Sequence, residues 1–216
     1  YTEDIMVDWT RNALRKTGAR VACFGGGVAM NIKVMMEIAK LPELDDIFVC
    51  PSPSDESLAM GGAYLAMHGI LLRQGRDPSI CLKPLANAYL GPEATPGETD
   101  ALVNEAKKKY KITRRPASAS IAAAIASGKI IGRCMGRSEF GARALGNRSI
   151  IADPRRLDIV KQINERIKCR DFWMPFAPSL LKEKAERYLK NPKRLSAPYM
   201  TLAFETKPSH LFEIKA

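Results

Sequence analysis

Apolar residues recur at helical spacing along four stretches of the chain. Ile5, Trp9 and Ala13 fall four apart with Met6 beside them, which predicts an amphipathic helix over residues 4–16 that Gly18 ends. Residues 28–40 carry Ile32, Met35, Met36 and Ala39 at the same period, and residues 57–73 are rich in Ala, Met and Leu. Residues 157–167 set Ile159, Val160, Ile163 and Ile167 on one side. Further helices are predicted over 98–110, 118–127 (stopped by Gly128) and 180–190. Short β-like runs over 20–24, 46–50, 111–115, 129–135, 149–152 and 199–204 predict strands. The order strand, glycine turn, helix, strand, loop, helix in the first third is that of an α/β layer.

Residues 75–97 break this rhythm with Pro78, Pro84, Pro92 and Pro96 and with Gly75, Gly91 and Gly97. We read this stretch as a linker between a domain over 1–74 and a second over 98–216. A chain of 216 residues, 46% of them hydrophobic, has apolar material for one large domain or two small ones. No stretch approaches the ~18 apolar residues of a membrane span, and the acidic start carries no secretory pattern. The first residue is Tyr, so the chain is expected to be processed, engineered or excised. Five cysteines without a CxxC spacing read as free thiols, mostly buried, in a reducing cytoplasm.

Charge then directs attention to one region. The net charge is +11, a balance that attracts anions. Residues 131–170 hold ten Lys/Arg against four Asp/Glu. At their centre lies GRSEFGARALGNRS, residues 136–149, where Arg137, Arg143 and Arg148 share a glycine-rich loop with a single acid, Glu139. A guanidinium fork fits phosphate oxygens bidentately, so this loop is read as an anion site. Lys168, Arg170 and Ser179 in the following KCRDFWMPFAPS are further polar contacts, while Phe172, Trp173 and Phe176 either fill core or stack on a base.

Two other constellations carry chemistry. Gly25-Gly26-Gly27 followed by Val28, Ala29, Met30 and Asn31 is a strand–turn–helix that either cradles an anion on backbone N–H groups or is a plain tight turn. It matches neither the dinucleotide fingerprint nor a P-loop. In Pro53-Ser54-Asp55, Ser54 or Asp55 caps the next helix, or Asp55 offers its carboxylate to a metal. His68 and His210 have no metal or triad spacing, and no GxSxG or HExxH occurs.

These motifs resemble a known family. GRSEFGARALGNRSIIADPR followed by FWMPFAPS is similar to the signature of the O-carbamoyltransferases of the nodulation and cephamycin/tobramycin type. AYLGPE over 88–93 resembles the opening of that family's C-terminal domain, and GGVAMN, PSPSDES and the GGA of residues 61–63 resemble the tail of its first domain. The resemblance implies the end of an actin-like (ASKHA) domain followed by a YrdC-like α/β domain, the fold of the tRNA-threonylcarbamoylation synthases. It implies that ATP and carbamoyl phosphate form carbamoyl-adenylate in the second domain, and that the first domain passes the carbamoyl group to a small-molecule hydroxyl acceptor. Carried over residue by residue, Arg137, Arg143 and Arg148 would be catalytic. Asn147, Ser149, Lys168, Arg170 and Ser179 would join them around the phosphates. Gly26, Gly27 and Asn31 would contact the adenylate, and Asp55 would ligate an iron-type metal.

The family's HxxxH pair and its DGTARVQ-like segment are absent from this sequence. We therefore expect a fragment truncated at both ends, with low metal affinity and no complete transfer. Two rival readings stand beside this one: a tRNA-threonylcarbamoylation protein, and a non-catalytic nucleotide-binding module.

Overall fold

Met6, Val7, Thr10 and Leu14 form the packed face of the first helix, α1 (Thr2–Thr17), in a computed structural model that describes residues 1–114 and 116–214. This face is offset from the one the spacing predicts: Ile5, Trp9 and Ala13 are exposed, because α1 meets α2 along the neighbouring stripe. Gly18, left-handed at φ 72°, closes the helix with its N–H on the carbonyl of Leu14.

The chain divides into two compact units. The first comprises Tyr1–Leu90, Glu139–Leu145 and Lys190–Glu205. After α1 come strand β1 (Val21–Phe24), a 3-10 turn (Gly27–Met30), helix α2 (Ile32–Ala39) and strand β2 (Asp46–Val49). The strands pair in parallel, Val21 opposite Asp46 through Phe24 opposite Val49. Val34, Met35 and Ile38 of α2 are fully buried and pack with Leu41, Leu44, Ile47 and Val49. Each such side chain contributes about 1.5–3 kcal/mol. The ammonium of Lys193 donates to the carbonyls of Ala39 (2.7 Å), Leu41 (2.5 Å) and Leu44 (2.6 Å), closing the end of α2. Helix α3 (Glu56–Arg73) is long but buries only Ser57 and Leu71; Leu58, Leu65 and Leu72 are exposed. A short helix α4 (Pro78–Cys81), capped by Asp77, lies within the predicted linker.

The second unit comprises Gly91–Ser138, Gly146–Leu189 and Thr206–Ala216. Helix α5 (Pro96–Ala106) starts earlier than its apolar pattern suggests, because Thr95 and Glu98 form a capping box. Helix α6 (Ser118–Ala126) leads to strand β3 (Ile131–Cys134), which pairs antiparallel with β4 (Arg148–Ile151), Ile131 opposite Ile151. The basic loop is thus the connection of a β3–β4 hairpin. Helix α7 (Leu157–Ile163) buries Ile159 and Ile163 and widens into a π turn over Asn164–Lys168. The chain stays helical through the predicted end at Ile167, but the widening turns Ile167 out to solvent and Asn164 inward, where Ile167 was expected on the packed side.

Three predicted elements do not form. Residues 180–190 make a 3-10 turn (Lys182–Lys184), one helical turn, α8 (Ala185–Tyr188), and a two-residue strand (Leu189–Lys190), and Leu181 at the start is exposed. Residues 199–204 are not a strand: Met200 sits at φ 55°, which breaks the extended run, although Thr201 and Leu202 are buried. Residues 111–114 are irregular, and Arg115 lies outside the described residues. The mix of helices and small sheets is α/β, as expected. The cysteines are free, but Cys23, Cys134 and Cys169 are exposed where buried thiols were expected. Among the described residues no helix is long and apolar enough to cross a membrane.

Candidate functional site

In the first unit, β1 and β2 run in parallel and end side by side, so the loops that follow them share one edge of the sheet. That is where open α/β sheets place ligands. After β1 come Gly25, Gly26 and Gly27, with Gly26 at φ 93°. A Cβ on any of the three would meet nothing within 4 Å, so the turn faces open space. The N–H groups of Gly25 and Gly26 donate to no backbone carbonyl among the described residues. Asn31 caps α2, its side-chain carbonyl accepting from the N–H groups of Lys33 and Val34 at 3.2 Å each. Capping uses the oxygen and leaves the amide nitrogen available.

After β2 comes the Pro51–Asp55 loop. Ser52 is buried at φ 50°, a left-handed conformation uncommon for a residue with a Cβ. Its hydroxyl donates to the Glu56 carboxylate, and this bond, with the N–H at the helix start, holds Glu56 below the usual carboxylate range. Asp55 occupies the cap position of α3 but caps nothing and is exposed. Among the described residues no three His, Cys, Asp or Glu side chains could hold a metal ion. Asp55 alone does not fit a metal.

A third segment completes this edge. Glu139–Leu145 is strapped to the unit by Phe140 N–H to the carbonyl of Ala88 (2.6 Å), Ala142 N–H to Ser52 Oγ (3.1 Å) and Tyr89 Oη to the carbonyl of Leu145 (2.9 Å). Gly141 is left-handed at φ 94° and passes directly over Ser52. Through this strap Arg143 reaches the glycine turn, its Nη2 donating to the carbonyl of Met30 at 3.2 Å. Its Nε is buried and has no hydrogen-bond partner among the described residues. A buried N–H without an acceptor costs about 1–3 kcal/mol, a cost that an anion at the turn would remove.

In the second unit the remaining loop residues hold one another. Arg137 Nε donates to the carbonyl of Gly91 (2.9 Å), and Asn147 Nδ2 to the carbonyl of Arg137 (2.8 Å). Arg148 donates through Nη1 to the carbonyl of Met135 (3.0 Å) and through Nη2 to that of Gly136 (3.0 Å). Ser149 Oγ accepts from Gly146 N–H at 2.9 Å. The same unit contains Lys168 and Ser179, both exposed, and Arg170, which is half-buried over the ring of Phe176 with 4.6 Å from Cζ to the ring centroid. Phe172 and Trp173 are exposed and fill no core.

Arg143 therefore joins Gly26, Gly27 and Asn31 on the first unit, while Arg137, Asn147, Arg148 and Ser149 form a cluster on the second. One residue with no sequence signal of its own is Asn164, fully buried beneath the 169–176 loop. A cavity of about 240 Å3 lies in the first unit between β2 and residues 196–202, lined in part by Phe48 and Tyr199, and contains none of the predicted site residues.

The chain matches the family model described as Carbamoyltransferase N-terminus over residues 1–64 and that described as Carbamoyltransferase C-terminus over residues 122–216. It is 36% identical over 192 residues to Nodulation protein NolO of Bradyrhizobium diazoefficiens, covering 88% of this chain and 34% of that protein. It is 34% identical over 212 residues to Nodulation protein NolNO of Sinorhizobium fredii, covering 96% of this chain and 30% of that protein. An uncharacterized protein of Methanocaldococcus jannaschii is 33% identical over 213 residues, 96% of this chain and 34% of its own length. The chain spans about a third of the length of these curated relatives.

Proposed function

Because the chain belongs to the carbamoyltransferase family, we propose that it carries parts of two sites acting in series, one forming carbamoyl-adenylate and one transferring the carbamoyl group to a hydroxyl. In the first step water cleaves carbamoyl phosphate to carbamate and phosphate. A carbamate oxygen then attacks the α-phosphorus of ATP, and pyrophosphate leaves. In the second step the acceptor hydroxyl attacks the carbamoyl carbon, AMP leaves, and the hydroxyl proton passes to solvent.

We assign adenylate formation to the second unit, as a YrdC-like domain, and transfer to the first, as the end of an actin-like domain, with the change of domain inside residues 75–97. Arg137, Arg148, Lys168 and Arg170 neutralise phosphate charge, and Asn147, Ser149 and Ser179 offer polar contacts. This positioning and charge neutralisation is most of what phosphoryl chemistry asks of a protein. Gly26, Gly27 and Asn31 receive the adenylate. Arg143, which the resemblance would place among the phosphates of the forming site, belongs instead to this receiving turn. The acceptor is a small molecule with a hydroxyl, of sugar, antibiotic or Nod-factor type, and the setting is the cytoplasm.

The observation that carries this reading is the placement of Arg143 over the glycine turn, 113 residues away in sequence, with a buried Nε–H that lacks an acceptor. The test is carbamoyl-phosphate-dependent exchange of labelled pyrophosphate into ATP. Exchange in the wild-type chain, reduced at least ~100-fold in Arg148→Ala, is expected from the loss of a charge clamp on the transferred group. Exchange that does not depend on carbamoyl phosphate would refute the reading.

A further inference from the structure

One fully buried polar group of the second unit is marked by no motif. Asn164 is fully buried, the first residue of the π turn that ends α7. Its Nδ2 donates to the carbonyls of Phe172 (3.1 Å) and Met174 (2.9 Å), so both amide protons are used and the side-chain orientation is fixed. Its Oδ1 accepts from Arg170 Nε at 2.7 Å, and its backbone carbonyl accepts from Arg170 N–H at 3.0 Å. Cys169, left-handed at φ 49°, makes the reversal that brings Arg170 back over Asn164. The face of the guanidinium rests on Phe176.

Arg170 is thus gripped by backbone, Nε and ring face, and its two Nη groups meet no acceptor among the described residues. The grip is made by a neutral amide. An aspartate in the same place would accept from Nε equally well but would cancel the charge. With Nε occupied, a guanidinium can receive an oxyanion in bidentate fashion only through its Nη1/Nη2 edge. A π turn within a helix is also a frequent mark of a functional position.

We propose that Asn164 is a positioning residue that makes Arg170 an end-on receptor for a phosphate group. The inference rests on the reading of the second unit as the adenylate-forming site. The phosphate belongs either to carbamoyl phosphate or to ATP.

The test is calorimetric titration of the chain with carbamoyl phosphate and, separately, with ATP, for wild type, Asn164→Asp, Arg170→Lys and the double variant, with the melting temperature of each recorded. The ligand held by Arg170 should lose at least ~10-fold in affinity in either single variant, and the double variant should be within ~2-fold of the weaker single one, since both changes act on one contact. The other ligand should be nearly unaffected, which identifies the source of the phosphate. If Asn164→Asp does not fold, Phe176→Leu removes the supporting ring from a half-buried position and should weaken the same ligand at least ~3-fold. Unchanged affinity in the folded single variants, losses that multiply in the double variant, or a wild type that binds neither ligand would overturn the proposal. Binding in the expected pattern by a chain that shows no pyrophosphate exchange would sink the reaction proposed above and leave the receptor standing.

Discussion

Arg143 extends its Nη2 to the carbonyl of Met30, 3.2 Å away, and so brings a residue of the basic loop onto the glycine turn that precedes α2. The contact neutralises nothing, since a carbonyl is a neutral acceptor, and it leaves Nε–H buried without a partner. A group held at a cost in the free protein is expected to recover that cost when ligand arrives.

Arg143→Met tests this directly. In the free protein the variant should be as stable as wild type or more stable by up to about 1 kcal/mol, because an unsatisfied buried donor is replaced by apolar atoms. With AMP present the order should reverse, since wild type gains stability by mass action and the variant loses at least ~10-fold in AMP affinity. Thermal melts with and without AMP measure both effects. Equal AMP stabilisation of the two proteins would remove Arg143 from the site.

Asn31 and Asp55 should separate cleanly by stability. Asn31 accepts two helix N–H groups, and Asn31→Ala should cost about 1 kcal/mol. Asp55 is exposed and caps nothing, and Asp55→Ala should stay within about 0.5 kcal/mol. Urea unfolding of the two variants checks this. A large loss in Asp55→Ala would mean that its carboxylate has a structural partner.

Gly141→Ala should dislodge the strap. The position is left-handed at φ 94°, and an added Cβ would overlap the side chain of Ser52. Strain and overpacking together should cost about 2–4 kcal/mol. Protection of the Ala142 amide, which donates to Ser52, should fall in hydrogen exchange. Unaltered protection would show that the strap is held elsewhere.

Lys193→Met should destabilise the first unit by about 2–3 kcal/mol, because the carbonyls of Ala39, Leu41 and Leu44 lose a charged donor together. Burial pushes this ammonium below its ordinary value, so its attraction to the carbonyls must offset desolvation. Chemical denaturation gives the cost, and a loss below about 0.5 kcal/mol would mean that water replaces the ammonium.

Acid sensitivity of the second unit should trace to Asp153. The side chain is buried, and the Arg155 guanidinium, at 2.6 Å from its carboxylate, holds its pKa at about 2 against an ordinary 3.8. A depressed pKa supplies stability above pH 4 that is lost as pH falls toward 2. Arg155→Ala should therefore be less stable at pH 7 by about 1–2 kcal/mol, a figure discounted for the exposure of the arginine, and should show a shallower loss between pH 4 and pH 2. Stability curves over that range, by circular dichroism, decide it.

Local pattern determined a good deal of this protein. The α1, α2 and α3 helices, the β1, β2, β3 and β4 strands, the turn at Gly26 and the concentration of arginine over 131–170 were all legible, because periodicity, glycine and charge act within a few residues of themselves. The family, too, was legible in the GRSEFGARALGNRS and GGVAMN motifs, which lie within the matched residues. Only the tertiary structure decided what depends on distant partners. It turned the packed face of α1 from Ile5 and Trp9 to Thr10 and Leu14, to meet α2. It denied a strand to 199–204 and a full helix to 180–190, which breaks into a 3-10 turn, one helical turn and the short strand Leu189–Lys190. It also divided one arginine-rich loop, giving Arg143 to the glycine turn and Arg137 and Arg148 to a hairpin, and it buried Asn164 beneath Arg170. A side chain's chemistry is written in its own residue, but its partner is set by contacts that close over more than a hundred residues of chain, and those no local pattern contains.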